Sequence, residues 1–206
     1  QGAELQNSLE IVNKIAASTP SYMSVTYGAG GSTVGYSAAL AKKVEDNGMP
    51  ALAHLTCVKA DEAKLAEVLG QLQGFGVKNI LALRGDIPAD MQGEEIGSFA
   101  HASELMRFVK QQGDFCVGGA AYPEGHPESG SLEKDIENTK YKVDAGVDFL
   151  VTQMFFDNNI YYNFLYRIRE RGIVVPVVPG IMPITRATQV ANALKLSGSN
   201  MRERFR

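Results

Sequence analysis

The sequence predicts an α/β protein of the (β/α)8 TIM-barrel class, incomplete as given, with about six strands and seven helices. Three observations carry that prediction. Near-continuous apolar runs recur along the chain with amphipathic helical patterns between them, polar residues collect at or just past the end of each run, and no GxGxxG follows any of them. Runs without polar alternation suit strands covered on both faces. In a barrel the C-terminal strand ends converge on one mouth, whereas an open doubly wound sheet gathers its site at a switch point and often carries a glycine-rich fingerprint.

The chain opens on a helix pattern over about residues 4–18. Strand-like segments follow at 21–27 (SYMSVTY), 51–57 (ALAHLTC), 77–83 (VKNILAL), 115–122 (FCVGGAAY), 147–153 (VDFLVTQ) and 173–179 (IVVPVVP), and a last helix pattern covers about 185–196. The repeat length of roughly 30 residues is that of one βαβ unit. After Asp61, the residues Leu65, Val68, Leu69, Leu72 and Phe75 fall at three- and four-residue intervals, one face of a helix opened by an aspartate cap. Gly48, Gly76, Gly113, Gly146 and Gly172 stand where these helices should end before the next strand.

A single domain is expected over 1–206, because 206 residues suffice for one substantial core. Barrels of this kind run to ~250 residues, so the first strand and the last βα unit are expected to lie outside this stretch. The strands near residues 21 and 173 would then be open edges that invite self-association. An apolar share of 45 % with 21 % charged residues is that of a globular protein, and a net charge of -3 with mixed signs gives no basic face for nucleic acid and no patch for an anionic membrane. Only Cys57 and Cys116 are present, which supports neither a disulfide framework nor a zinc site and suits a cytoplasmic setting. A small-molecule partner is expected.

The polar strand ends are Thr26 and Tyr27, His54 and Thr56, Arg84 and Asp86, Tyr122 and Glu124, and Gln153. In LALRGDIP the strand delivers Arg84 and Asp86, Gly85 allows close approach to the backbone, and Pro88 stops further pairing. An Arg84–Asp86 ion pair closing the loop is an equally open reading. AAYPEGHPES brackets Tyr122, Glu124 and His126 between prolines, offering an aromatic face, a carboxylate and an imidazole. In LEKDIENTKYKVDAG, Asp135, Asn138 and Lys142 share one helical face; such a stripe is ordinarily solvated and becomes a ligand face only if something covers it. Gln153 ends a strand with an amide that can donate to and accept from a heterocycle, and the following Phe155 and Phe156 read as core. His101 sits in a helix pattern as a structural residue, and the three histidines have neither ligand spacing nor cysteine partners for a metal.

Taken in order, SVTYGA (24–29), AHLTC (53–57), LALRGD (81–86), AAYPEGHPE (120–128), KVDAGVDFLVTQMFFD (142–157) and VPGIMPI (178–184) resemble the methylenetetrahydrofolate reductase family, flavoprotein barrels of one-carbon metabolism. The resemblance implies a flavin-dependent reduction of 5,10-methylenetetrahydrofolate to 5-methyltetrahydrofolate with FAD as cofactor and NADH or NADPH as electron donor, in methionine supply. It implies an FAD-contacting set of Thr26, His54, Arg84, Gly85, Asp86, Tyr122, His126, Asp135, Asn138 and Lys142, with Asp86 the catalytic carboxylate beside the flavin and Gln153 the residue that binds the folate's pterin ring. It also implies a homo-oligomer when complete, and a proton-donating glutamate in a first strand that precedes this stretch. Tyr141 stands where relatives carry an arginine. The alternative reading is a non-catalytic flavin- or folate-binding fragment, or a subunit completed by a partner chain.

Overall fold

In the computed structural model the described residues are 2–26, 34–58, 60–86 and 97–197. Tyr27 and Pro88, singled out above, lie outside them. Among these residues, six strands are hydrogen-bonded to one another in the order in which they occur along the chain, with a helix following each. Among the described strands that order has no reversal and so no switch point; it is the order of a (β/α)8 barrel rather than of a doubly wound sheet. The chain divides into two compact units, 1–118 and 119–206.

The first unit runs α1 (Gly2–Ala16), β1 (Met23–Val25), α2 (Val34–Asp46), β2 (Ala51–Thr56), α3 (Glu62–Gly74), β3 (Asn79–Leu83) and α4 (Ala102–Gln112), and contains the start of β4 (Cys116–Ala121). β1 pairs parallel with β2 in the register Val25↔Ala53, and β2 pairs parallel with β3 in the register His54↔Leu81. The continuous apolar run of β2 is buried on both faces: Ala51, Leu52, Ala53 and Leu55 are all at most 4 % exposed. α3 forms as its spacing predicts. Asp61 caps it by accepting from the Lys64 amide at 2.7 Å, and Leu65, Val68, Leu69 and Leu72 are buried. Burial of each such side chain contributes ~1.5–3 kcal/mol, so truncating Leu65 to alanine should cost ~2–5 kcal/mol once the cavity is counted.

The second unit holds the end of β4, a 3-10 turn (Pro127–Ser129), α5 (Leu132–Asp144), β5 (Phe149–Thr152), α6 (Asn158–Glu170), β6 (Val177–Val178) and α7 (Thr188–Ser197). Ser131 caps α5 and Asp157 caps α6 through their side-chain oxygens. α6 packs by Phe164 and Ile168, both fully buried. β5 pairs parallel with β6 in the register Leu150↔Val177 and Val151↔Val178.

Several expectations are refined. β6 covers two residues where the sequence predicts a strand over 173–179. Pro176 and Pro179 lack the N–H that a longer ladder would use, and Ile173 instead donates to the Ile168 carbonyl in the turn that ends α6. β1 is shortened to Met23–Val25, its pairing starting where the Met23 amide reaches the Pro50 carbonyl at 3.0 Å. His101 is the N-cap of α4 rather than a residue within it, and the Glu104 carboxylate reaches back to the amides of Ala100 and His101 at 2.7 and 3.1 Å. Four of the five expected terminal glycines take a positive φ, but Gly113 is extended at φ 167°. Of the aromatics after β5, Phe155 is core at 9 % exposure, while Phe156 is half-buried. Cys57 is buried, and Cys116 is exposed at the start of β4.

Among the described residues no helix is long and apolar enough to cross a membrane, and no three potential ligands gather as a metal site.

Candidate functional site

In the first unit the polar residues at the strand ends arrive by register. Thr26 and His54 each follow the paired residues Val25 and Ala53 by one position, and Arg84 follows Leu83, the last residue of β3, three residues beyond Leu81, the partner of His54. There the chain folds back on β2: the Cys57 and Val58 amides donate to the Arg84 carbonyl at 3.2 and 3.0 Å. Gly85 has φ +89°, and a Cβ on it would lie 3.1 Å from the Thr56 Cβ and 3.5 Å from the Val58 Cβ. The glycine is therefore required twice over, by its backbone conformation and by the side chains packed against it.

Asp86 follows at the surface. It is exposed, and it makes no ion pair or hydrogen bond with any of the described residues. An Arg84–Asp86 ion pair thus does not close this loop. Thr26 is exposed as well, and its carbonyl accepts from the Ser37 hydroxyl at 2.9 Å. His54 is half-buried in a small cleft with Val25, Ser37, Ala38, Ala53, Val68 and Leu72. Its Nε2 is buried without a partner, and burial holds the imidazole below its usual range, so it is neutral at pH 7. Cys57 nearby is kept a thiol: burial, first of all, pushes it up to about 11.

In the second unit the polar groups are wired to one another. Beyond β4 the Gly125 amide closes a turn on the Tyr122 carbonyl at 2.9 Å, and the Tyr122 and His126 rings meet edge to face with centroids 4.7 Å apart. His126 caps the 3-10 turn, its Nδ1 accepting from the Glu128 amide at 3.2 Å. That turn delivers Ser129, whose hydroxyl donates to Asp135 Oδ1 at 2.9 Å and accepts from the Asn138 amide at 3.4 Å. One turn further along α5, Lys142 donates from Nζ to the Ala120 carbonyl at 2.7 Å and lies 5.7 Å from the centroid of the Tyr122 ring.

The α5 stripe is not a solvated face. Asp135 is only 2 % exposed, and its Oδ2 is buried with no hydrogen-bond partner. Burial lowers the Lys142 ammonium below its ordinary range, while the Asp135 charge pulls it back up. A buried carboxylate with one oxygen open costs free energy unless something supplies a donor. The open Oδ2 is a place where a ligand hydroxyl or amide could donate.

Gln153 ends β5. Its amide donates to the Ala121 carbonyl at 2.7 Å, and its Oε1 accepts from the Met154 amide at 2.8 Å. A backbone N–H can only donate, so the side-chain atom facing it must be the oxygen, which leaves the NH2 group to meet a ligand. Ser129, Thr152 and Gly180 went unnoticed in the sequence. Ser129 stands in a proline- and glycine-rich turn, and Thr152 and Gly180 are 28 residues apart, so no local pattern links them to the site.

The family model described as methylenetetrahydrofolate reductase matches residues 2–205. The chain is 36 % identical over 180 residues to the 5,10-methylenetetrahydrofolate reductase of Pectobacterium carotovorum subsp. carotovorum, covering 87 % of this chain and 59 % of that protein. With the protein of the same name from Escherichia coli (strain K12) it shares 35 % identity over 189 residues, 91 % of this chain and 62 % of the relative. With methylenetetrahydrofolate reductase (NADH) 1 of Zea mays it shares 37 % over 194 residues, 87 % and 33 %. The chain thus spans about three fifths of the two bacterial relatives. Among solved structures, a Clostridium thermocellum protein that binds two copies of 5-methyl-5,6,7,8-tetrahydrofolic acid matches in fold with TM-score 0.65 at 12 % identity, over 97 % of this chain and 66 % of that one. A 2,3-dimethylmalate lyase matches with TM-score 0.58 at 12 % identity, over 90 % and 70 %.

Proposed function

Because this chain belongs to the methylenetetrahydrofolate reductase family, we propose that it carries most of the FAD site of an enzyme that reduces 5,10-methylenetetrahydrofolate to 5-methyltetrahydrofolate with NADH or NADPH. The observation that carries the reading, beside the family match over residues 2–205, is the buried Asp135 carboxylate with its open Oδ2.

The residues present fit the cofactor. FAD offers sugar and ribityl hydroxyls as donors and a pyrophosphate as a double anion. Asp135 is short of one donor and Lys142 is a half-buried cation held at one carbonyl, so the carboxylate can accept from a hydroxyl and the ammonium can face the anion. Asn138 and Tyr122 would extend that face, and His126 would hold the Tyr122 ring in place. The family resemblance also assigns Thr26, His54, Arg84, Gly85 and Asp86 to FAD. When bound, FAD supplies the two-electron chemistry, accepting a hydride from the nicotinamide and giving one to the folate.

The protein's own tasks are binding and electrostatics. Asp86, exposed and without a partner among the described residues, presents a carboxylate whose charge opposes the build-up of further negative charge beside it. That favours departure of a hydride. His54 is neutral at pH 7 and can hydrogen-bond without adding charge. Gln153 presents NH2 donors to an acceptor edge of the pterin ring. Nicotinamide and folate in turn on one flavin predict ping-pong kinetics. The protein is expected to act in the cytoplasm as a homo-oligomer.

The test is an anaerobic visible spectrum of the purified chain mixed with FAD, before and after NADH. A perturbed flavin band that bleaches on addition of NADH is the expected result. A spectrum identical to free FAD in a folded chain would overturn the assignment of the site to these residues.

A further inference from the structure

β5 and β6 stop pairing regularly at Val151↔Val178. The next residue on the β6 side is Pro179, which has no N–H to give. The following amide, that of Gly180, turns instead to a side chain: it donates to Thr152 Oγ1 at 2.9 Å. Thr152 is 5 % exposed, so this bond is shielded from water. The two backbones are also in closer contact here than any other residue type would allow. A Cβ on Gly180 would lie 2.1 Å from the Thr152 carbonyl oxygen, 3.2 Å from its carbon and 3.5 Å from the carbonyl carbon of Gln153.

From this geometry we infer that Thr152 and Gly180 form a clasp that positions Gln153 for the folate, a role that rests on the proposed reading of Gln153 as the pterin-binding residue. Gln153 is fixed from three sides. Its amide is tied to Ala121, its side-chain oxygen to the Met154 amide, and its preceding residue to Gly180. The first two bonds set the direction of the side chain. The clasp sets where the end of β5 stands, since neither the hydroxyl bond nor the backbone contact survives a shift of β6 along or away from it. Thr152 and Gly180 are positioning residues and touch no substrate themselves. A displacement on the order of 1 Å in such a group is enough to weaken a well-oriented contact by tenfold or more.

The test uses the flavin-loaded protein and 5-methyltetrahydrofolate as the probe, with its dissociation constant measured calorimetrically. Amide hydrogen exchange at Gln153 and Met154 is followed in the flavin-free chain. Thr152→Val removes the acceptor while keeping the shape, Thr152→Ser keeps the acceptor, and Gly180→Ala forces the backbones apart. The expected result is a dissociation constant raised about tenfold in Thr152→Val, restored in Thr152→Ser, with faster exchange at Gln153 and NADH-driven bleaching of the flavin within twofold of the parent. If Gly180→Ala fails to fold, Thr152→Val alone decides. A folded Thr152→Val with unchanged folate affinity and unchanged exchange overturns the clasp. Gln153→Ala separates the two levels: if that variant binds the probe as the parent does, the reading of Gln153 falls and the clasp's role with it. If it binds weakly while Thr152→Val does not, the clasp alone falls.

Discussion

The two units treat charge in opposite ways. In the first, Asp86 is exposed and makes no bond to a described residue, and Thr26 offers only its carbonyl to Ser37. In the second, Asp135 is 2 % exposed and tied to Ser129, which also holds Asn138, while Lys142 is held at the Ala120 carbonyl. An exposed carboxylate is cheap to keep and contributes its field. A buried one must be built into a network, because desolvation of an ionised group without partners costs several kcal/mol. The second unit therefore carries the marks of a preorganised binding face, and the first those of a group placed for electrostatic effect.

The contrast can be broken most severely at Lys142. Replacing it by methionine removes a half-buried ammonium and keeps the stem's packing, so flavin affinity should fall about 100-fold, equivalent to ~2.7 kcal/mol. The thermal midpoint should move little, because relief from desolvating the charge offsets the loss of the bond to Ala120. Flavin fluorescence quenching and a thermal melt on the same sample check both halves. A midpoint lowered in proportion to the affinity would make Lys142 a structural residue instead.

Asp86→Asn should show the reverse pattern. Nothing described bonds to this carboxylate, so stability should stay within ~0.5 kcal/mol of the parent. Flavin affinity should hardly change, and the folate half-reaction should slow about tenfold, a barrier increase of ~1.4 kcal/mol. Stopped-flow oxidation of the reduced flavin by methylenetetrahydrofolate measures that step. A loss of flavin binding equal to that of Lys142→Met would erase the distinction between the units. Between these two lies Ser129→Ala. It leaves Asp135 with neither oxygen satisfied by a side chain, and should weaken flavin binding severalfold with a stability loss of ~1–3 kcal/mol.

The contrast also marks where the sequence was legible. Alternation of apolar runs and helical faces showed the strand order and the polar strand ends, because both depend on periodicity within about ten residues. The α5 stripe was legible as a set of positions, Asp135, Asn138 and Lys142, but not as a buried face. Its covering comes from the turn at Pro127–Ser129, whose composition reads only as a loop. The length of β6 was misjudged because valine-rich β propensity speaks for 173–179 while pairing is decided by the N–H groups that Pro176 and Pro179 lack. The contact of Thr152 with Gly180 spans 28 residues and depends on a missing Cβ, which no local pattern announces.

The smallest expected effect belongs to His54, a half-buried polar strand end of the first unit. Its imidazole sits in an apolar cleft with Nε2 unpartnered, and burial lowers its pKa below the ordinary value of 6.5. The folded chain therefore binds fewer protons than the unfolded one once pH drops to about 6.5, and stability must fall with pH from there until it passes the lowered folded pKa. Well above 6.5 both states are neutral at this residue and it adds no slope. A His54→Gln variant keeps a polar amide in the cleft but cannot titrate, so its denaturant midpoint should decline less than the parent's between pH 7 and pH 5, with the two curves running parallel above neutrality. The same experiment repeated with bound FAD sharpens the comparison. If the cofactor gives Nε2 a partner that favours the neutral ring, the slope of the parent should steepen on loading, whereas that of His54→Gln should not.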